Sequence, residues 1–187
     1  MAKLPLVLYP DTILKTHCAD VLEIDGELVE FCRDMAETMY HSHGVGLAAP
    51  QVARNIRMFA MDVGDDPSAL PGHGLMSLIN PVIVDHHGKT TYEEGCLSFP
   101  GITAEVRRKD TVHVKAYDPT GRELDFEAGG LLSICIQHEL DHLNGVTFVD
   151  RLNAVKRTLV VREYMRIRDD DAQQALQERI EDVHRSE

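Results

Sequence analysis

The sequence predicts an α+β chain, and three stretches carry that prediction. Ile134 to Gly145 reads ICIQHELDHLNG, an apolar segment of helical length closed by glycine. Lys109 to Glu127 alternates apolar and polar residues around Asp118-Pro119-Thr120-Gly121, the pattern of two strands joined by a type I turn. Leu28, Phe31, Met35 and Met39 recur at helical spacing, with Cys32 on the same stripe.

The elements follow in order. Residues 1–24 read as an extended lead-in punctuated by Pro5 and Pro10. Asp25 is placed to cap the first helix, which runs out near His41-Ser42-His43-Gly44 and leaves both histidines as solvated helix-end residues. Next comes Gly44-Val45-Gly46-Leu47-Ala48-Ala49-Pro50-Gln51, where two glycines mark backbone that something approaches closely. It lacks both the GxGxxG spacing and the Lys-Ser/Thr ending of a phosphate loop, so the residues alone describe a tight turn packed on a helix. Gln51 brings a neutral amide able to donate to an oxyanion.

Ile56 to Met61 has the composition of a buried strand, and Asp62 to Ser77, with three Gly, two Pro and three Asp, reads as a long surface loop. Leu78 to Val84 is strand again, with Pro81 implying an edge or a bulge, and His86-His87-Gly88 reads as a turn. Glu93 to Gly101 holds Cys96 just before Pro100-Gly101, as suits backbone bending around a site. In the alternating segment Val112, Val114 and Ala116 face one way, His113, Lys115 and Tyr117 the other. Beyond residue 147 a second helical stretch carries a stripe of Leu152, Val155 and Leu159 and is interrupted at Asp169-Asp170-Asp171. Leu176, Ile180 and Val183 then repeat in a charged background, as in a peripheral helix.

The central helix holds the chemistry. Leu131, Leu132, Ile134, Cys135, Ile136 and Leu140 give it apolar surface on most sides, so it is predicted to be buried, with Gly129-Gly130 opening it and Gly145 closing it. His138-Glu139-Leu140-Asp141-His142 matches HExxH: the two histidines stand one turn apart on one face, and Glu139 adjoins the first. The motif is short, and a chain with ten His can carry it by chance. Burial weighs against chance, because two histidines and two acids inside an apolar helix are costly without a metal or hydrogen-bond partners.

Composition narrows the function classes. The 187 residues suffice for one domain, and 43% hydrophobic with 27% charged residues is ordinary for a globular protein. Lys+Arg number 19 against 31 Asp+Glu, a net charge of -12, which argues against a nucleic-acid binder that relies on a basic surface. No run approaches a membrane span, and the N-terminal MAKLPLVLYPD lacks the apolar core of a secretion signal. Cys18, Cys32, Cys96 and Cys135 show no disulfide spacing, which points to a reducing, cytoplasmic compartment.

Two histidines leave a metal short of ligands. Cys135 lies seven residues from His142, a helical rise of about 10.5 Å, too far for one ion with bonds of about 2.0–2.3 Å. It is better placed as a pocket wall. Asp141 lies on another face. His184 and Glu163 are possible downstream ligands, and Cys96 is the stronger candidate because its Gly-Cys-Leu turn can lie alongside the helix.

GVGLAAPQ at 44–51, EGCLS at 94–98 and QHELDH at 137–142 closely resemble, in order and spacing, the three signature motifs of peptide deformylase. The resemblance runs from the YPD near the N-terminus to about residue 165, and the motif helix looks like the bacterial form. It implies a central motif-bearing helix surrounded by antiparallel sheets. Together with the N-terminal and C-terminal helices read from residue spacing, the expected organisation is a single catalytic domain over 1–168, followed by an acidic helical extension or tail over 169–187 that lies outside the resemblance. It implies that Cys96, His138 and His142 bind one divalent ion, Fe2+ by preference, with Ni2+, Co2+ or the less active Zn2+ as substitutes. Glu139 would be the general acid/base, with Gln51 and the Leu97 N–H stabilising an oxyanion. Val45, Gly46 and Gly95 would pair with an extended substrate backbone, while Leu131, Ile134, Cys135 and His138 would line a methionine pocket. Glu94 would order the loop.

The implied reaction is hydrolysis of the N-formyl group from the initiator methionine of nascent polypeptides, releasing formate. The implied surroundings are the cytoplasm and ribosome contact through the C-terminal helix, without sequence-specific nucleic-acid binding or a membrane. One departure stands out. Many bacterial members carry an Arg a few residues after EGCLS-x-P that helps hold substrate, where this chain has Thr103; Arg107 or Arg108 would have to compensate. Two rival readings make different demands. An HExxH peptidase cutting internal bonds needs a downstream His or Glu ligand and leaves EGCLS unexplained. A non-catalytic relative, or a structural zinc site, would be expected to lose Glu139 or Gln51 or to supply a fourth side-chain ligand.

Overall fold

The computed structural model describes residues 3–64 and 74–185, with side chains through residue 174. The chain runs α1 (Gly26–His41), β1 (Gly46–Ala48), β2 (Met58–Met61), β3 (Met76–His87), β4 (Thr90–Gly95), β5 (Thr103–Arg108), β6 (Thr111–Tyr117), β7 (Glu123–Ala128), α2 (Gly130–Leu143) and α3 (Ala154–Arg185). It is an α+β fold, as predicted, and its named strands pair antiparallel: among the described residues there is one five-stranded sheet in the order β1-β2-β3-β6-β7 and a separate β4-β5 pair, with one isolated parallel bridge between Ala19 and Ile56.

Asp25 caps α1 by accepting the Leu28 N–H at 2.8 Å, which satisfies a donor the helix start leaves open. Leu28, Phe31, Cys32, Met35 and Met39 are buried, as their spacing predicts, against β1 and β2. From residue 3 the lead-in is extended except for a turn at Tyr9-Pro10 and one short helical turn, Thr12–Lys15. It runs beside the site: Val7 N–H donates to Gln51 O and Tyr9 N–H to Ser98 O.

Pro81 lies in the middle strand of the large sheet, not at its edge. The β3–β6 register slips between Ile79 and Val82, so the bulge is where the missing N–H is accommodated. Asn80, at φ 50°, secures it by pairing its amide with the Val21 N–H and C=O at 2.9 and 2.8 Å. His86 and His87 belong to β3, opposite Val112 and Thr111, and the predicted turn falls one residue later, at Gly88. The β4-β5 pair was not anticipated. TAEVRR at 103–108 does alternate, and its register turns Val106 and Arg108 inward.

Helix α2 is buried nearly all round, packing Leu132, Cys135 and Ile136 against the sheet through Phe59 and Val114. Each such aliphatic side chain contributes about 2 kcal/mol of burial. Gly145 follows its C-cap at φ +70°, and a Cβ there would stand 2.6 Å from Lys15 O, so only glycine fits.

The C-terminal stripe differs from expectation. Val155 and Leu159 are 71% and 60% exposed, whereas Tyr164 is buried with Val160, Val161 and Met165 against it. The reason lies outside the helix: Tyr9, Phe99 and Phe148 form an aromatic cluster that α3 covers one turn later than the stripe suggested, and Tyr164 Oη donates to Tyr9 O at 3.0 Å. Asp169-Asp170-Asp171 does not interrupt α3. Arg166 pairs with Glu163 and Asp170 one turn either side, so exposed charge is accommodated along the helix. The side chains of Leu176, Ile180, Val183 and His184 lie outside the described residues.

Candidate metal centre and active-site pocket

Helix α2 carries His138 and His142 with ring centroids 5.1 Å apart. The end of β4 brings Cys96 to them, its Sγ 3.2 Å from His142 Nε2, and the three side chains place one donor atom each within 4.8 Å of one another. Donors sharing one tetrahedral ion at about 2.0–2.3 Å lie about 3.5 Å apart, so the set fits a divalent metal. Both histidines are buried and Cys96 is half-buried, which leaves one side of the cluster facing a pocket.

The other face of His138 is held. Its Nδ1 is 2.8 Å from Glu94 Oε2, leaving Nε2 for the cluster. Glu94 in turn accepts two hydrogen bonds from Arg108, at 2.6 and 2.8 Å. Arg108 also donates to Asp141 at 2.6 Å, and Arg151 closes the chain by pairing with Asp141. Burial would raise the Glu94 carboxyl, but the Arg108 and His138 hydrogen bonds outweigh it and bring the group down to about 2. Asp141 thus faces away from the cluster, as its helical position predicts. Glu94 is a buried, fully partnered acid rather than a solvated one.

Glu139 is different. It is buried beside the cluster, and its Oε2 has no hydrogen-bond partner among the described residues. Burial pushes its carboxyl up to about 7, against an opposing pull from His138. Gly46 supplies the room: a Cβ there would overlap the Glu139 carboxylate and stand 2.9 Å from Cys135 Sγ. The close approach predicted for the glycine stretch is therefore made by Glu139 itself. Gln51, 1% exposed, is oriented by accepting the Ala48 N–H at 2.8 Å through Oε1. Its Nε2 donates to Ser98 Oγ at 3.2 Å and lies 3.5 Å from Cys96 Sγ.

One cavity of about 400 Å³ unites these groups. Val45 and Gly46 line it at the start of β1, Gly95 and Leu97 at the end of β4, and Leu131, Ile134, Cys135, His138 and Glu139 from α2. Cys135 is a wall and not a fourth donor, its Sγ directed to Val45 O at 3.6 Å. Glu163, the downstream acid, is exposed and paired with Arg166.

Residues 3–158 match the family model for polypeptide deformylase. The chain belongs to that family. It is 45% identical over 167 residues to a peptide deformylase of Hydrogenovibrio crunogenus, covering 88% of this chain and 94% of the relative. Against the Neisseria meningitidis serogroup B enzyme the identity is 47% over 157 residues, covering 84% and 91%. Among solved structures, the Legionella pneumophila peptide deformylase superposes with a TM-score of 0.84 at 38% identity, covering 91% and 98%. An Ehrlichia chaffeensis peptide deformylase in complex with actinonin gives 0.82 at 36%, covering 87% and 96%. Peptide deformylases are metal-dependent hydrolases that remove the N-formyl group from nascent chains.

Two deformylase expectations need correction. Arg108 cannot stand in for the missing substrate-holding arginine, because it is buried in the Glu94–Asp141 network. Arg107 lines a different cavity, so no Arg or Lys lines the active-site pocket among the described residues. Thr103 instead donates to Glu93 at 2.7 Å on the rim. Reading the residues one by one also missed His43, Tyr92 and Glu93 as pocket residues. The available signal for Arg108 was its position in register with Val106, since an arginine facing inward needs buried acids. No helix is long and apolar enough to cross a membrane among the described residues.

Proposed function

We propose that this chain removes the formyl group from the N-terminal formylmethionine of newly made polypeptides, with Cys96, His138 and His142 holding one divalent ion. The observation that carries the reading is Glu139, a buried carboxylate with an unpartnered oxygen, set between the Cys96–His138–His142 cluster and the Gly46 backbone. Bound there, Fe2+, or Ni2+, Co2+ or Zn2+ in its place, supplies Lewis acidity that acidifies water and polarises the formyl carbonyl.

The residues divide the remaining work. The extended substrate lies along the backbone of Val45, Gly46 and Gly95, with its methionine side chain against Leu131, Ile134 and Cys135. Glu139 takes a proton from the attacking water as its oxygen bonds to the formyl carbon. Negative charge grows on the formyl oxygen, where the Gln51 Nε2–H and the Leu97 N–H donate. The C–N bond then breaks, the Glu139 proton goes to the amine nitrogen, and formic acid leaves, passing its remaining proton to solvent to become formate.

The catalytic unit is residues 1–168, and α3 continues through the acidic segment beyond it as far as Arg185. Cytoplasmic location and ribosome contact through that helix fit a nascent-chain substrate. Cosedimentation of the full chain, but not of 1–168, with ribosomes tests the contact. The reaction is tested by formate release from a formyl-methionyl peptide without oxygen, comparing wild type with Glu139→Ala at equal metal content. Release by the wild type alone supports the reading, and no release from metal-loaded wild type overturns it.

A further inference from the structure

A second cavity, of about 750 Å³, lies on the opposite side of α2 from the active-site pocket, and the two share no lining residue. Its walls carry Lys89, Arg107, Arg108, Lys109 and Arg151 against a single carboxylate, Asp141. In a chain of net charge -12 this concentration of cations runs against the composition. Asp141 is already neutralised by Arg108 and Arg151. Lys89 and Arg107 are exposed, Lys109 is half-buried, and none of the three makes an ion pair among the described residues.

Three unpaired cations around one cavity repel one another, and a polyanion relieves that repulsion. Arg107 offers a planar fork suited to phosphate oxygens, and the two lysines act as point charges. The hydroxyls of Thr90 and Thr91 add polar partners, while the half-buried Ile83 and Leu140 form an apolar wall. The volume falls within the range of small-molecule sites, about 300–1,000 Å³. We propose that this cavity binds a small ligand carrying two or more phosphate groups, of nucleoside diphosphate size. The phosphates sit on Lys89, Arg107 and Lys109, and any ring system sits against the apolar wall.

The test is calorimetric titration of the full-length, metal-loaded protein with ADP and with pyrophosphate, repeated on a Lys89→Gln/Arg107→Gln/Lys109→Gln variant and on each single variant. The expected result is binding by the wild type that falls at least about tenfold in the triple variant, as losing three charge-assisted contacts requires. Formate release from a formyl-methionyl peptide stays unchanged, because none of the three lines the active-site pocket. ADP tighter than pyrophosphate supports the proposal with the nucleoside on the apolar wall; equal binding supports it for the phosphates alone. Absence of binding by both overturns it, even where an RNA oligonucleotide binds. Binding that the triple variant leaves intact also overturns it, since the phosphate then sits elsewhere, as at the metal centre.

Discussion

Arg108 and Glu94 meet through two hydrogen bonds, at 2.6 and 2.8 Å, with both side chains only 3% exposed. Fourteen residues apart in sequence, they connect the β4-β5 pair to His138 on α2. Removing the guanidinium takes from two buried carboxylates a principal cation, leaving Glu94 with His138 alone and Asp141 with Arg151 alone. Arg108→Met is expected to destabilise the fold by about 3–5 kcal/mol, read from the urea midpoint. Glu94→Gln keeps the shape but weakens the grip on His138, and metal affinity is expected to drop about 10–100-fold in a competition titration with a chelator.

The metal cluster should couple to stability. An ion that binds only the folded chain stabilises it by about 2.7 kcal/mol at a hundred times its dissociation constant. Adding Zn2+ or Ni2+ to metal-stripped protein is expected to raise Tm in the wild type and leave His142→Ala unmoved. Equal rises in both would remove His142 from the ligand set.

Gly46 sits against the Glu139 carboxylate and Cys135 Sγ. Gly46→Ala must push the carboxylate aside, at a cost of about 1–3 kcal/mol in stability. A displacement of about 1 Å at the reacting groups is expected to lower kcat about 10²-fold. Steady-state kinetics with a formyl-methionyl peptide, beside a thermal melt, checks both figures.

Asp150 ties the lead-in to the start of α3. It pairs with Lys15, accepts the Thr147 N–H at 2.8 Å, and pairs with Arg157 at 2.9 Å. Burial raises its carboxyl, but the bonds from Lys15 and Thr147 outweigh this and hold it below the ordinary 3.8. A depressed folded value means the stabilisation is present above 3.8 and is lost as pH falls below it. Asp150→Asn is therefore expected to cost about 1–2 kcal/mol at neutral pH, with the gap from wild type closing in acid. Denaturant melts across pH measure that gap, and a gap that persists in acid would contradict the assignment.

Local pattern determined much of this protein. The 3.6-residue period placed His138 and His142 on one face, predicted the buried stripe of α1, and separated Cys135 from the metal by helical rise alone. The period of two placed Val112, Val114 and Ala116 inward, and Asp25 announced its own helix. These are short-range consequences of backbone geometry, so the residue order was enough.

Tertiary structure decided whatever depends on a partner far along the chain. Cys96 meets His142 across 46 residues, and Arg108 meets Asp141 across 33. Pro81 became a bulge in a central strand because Asn80 found Val21 across 59 residues. The buried face of α3 fell at Tyr164 because Tyr9 and Phe99 had already formed the surface it covers. In each case the free energy comes from burial and pairing between segments, and no local propensity encodes which distant segment arrives.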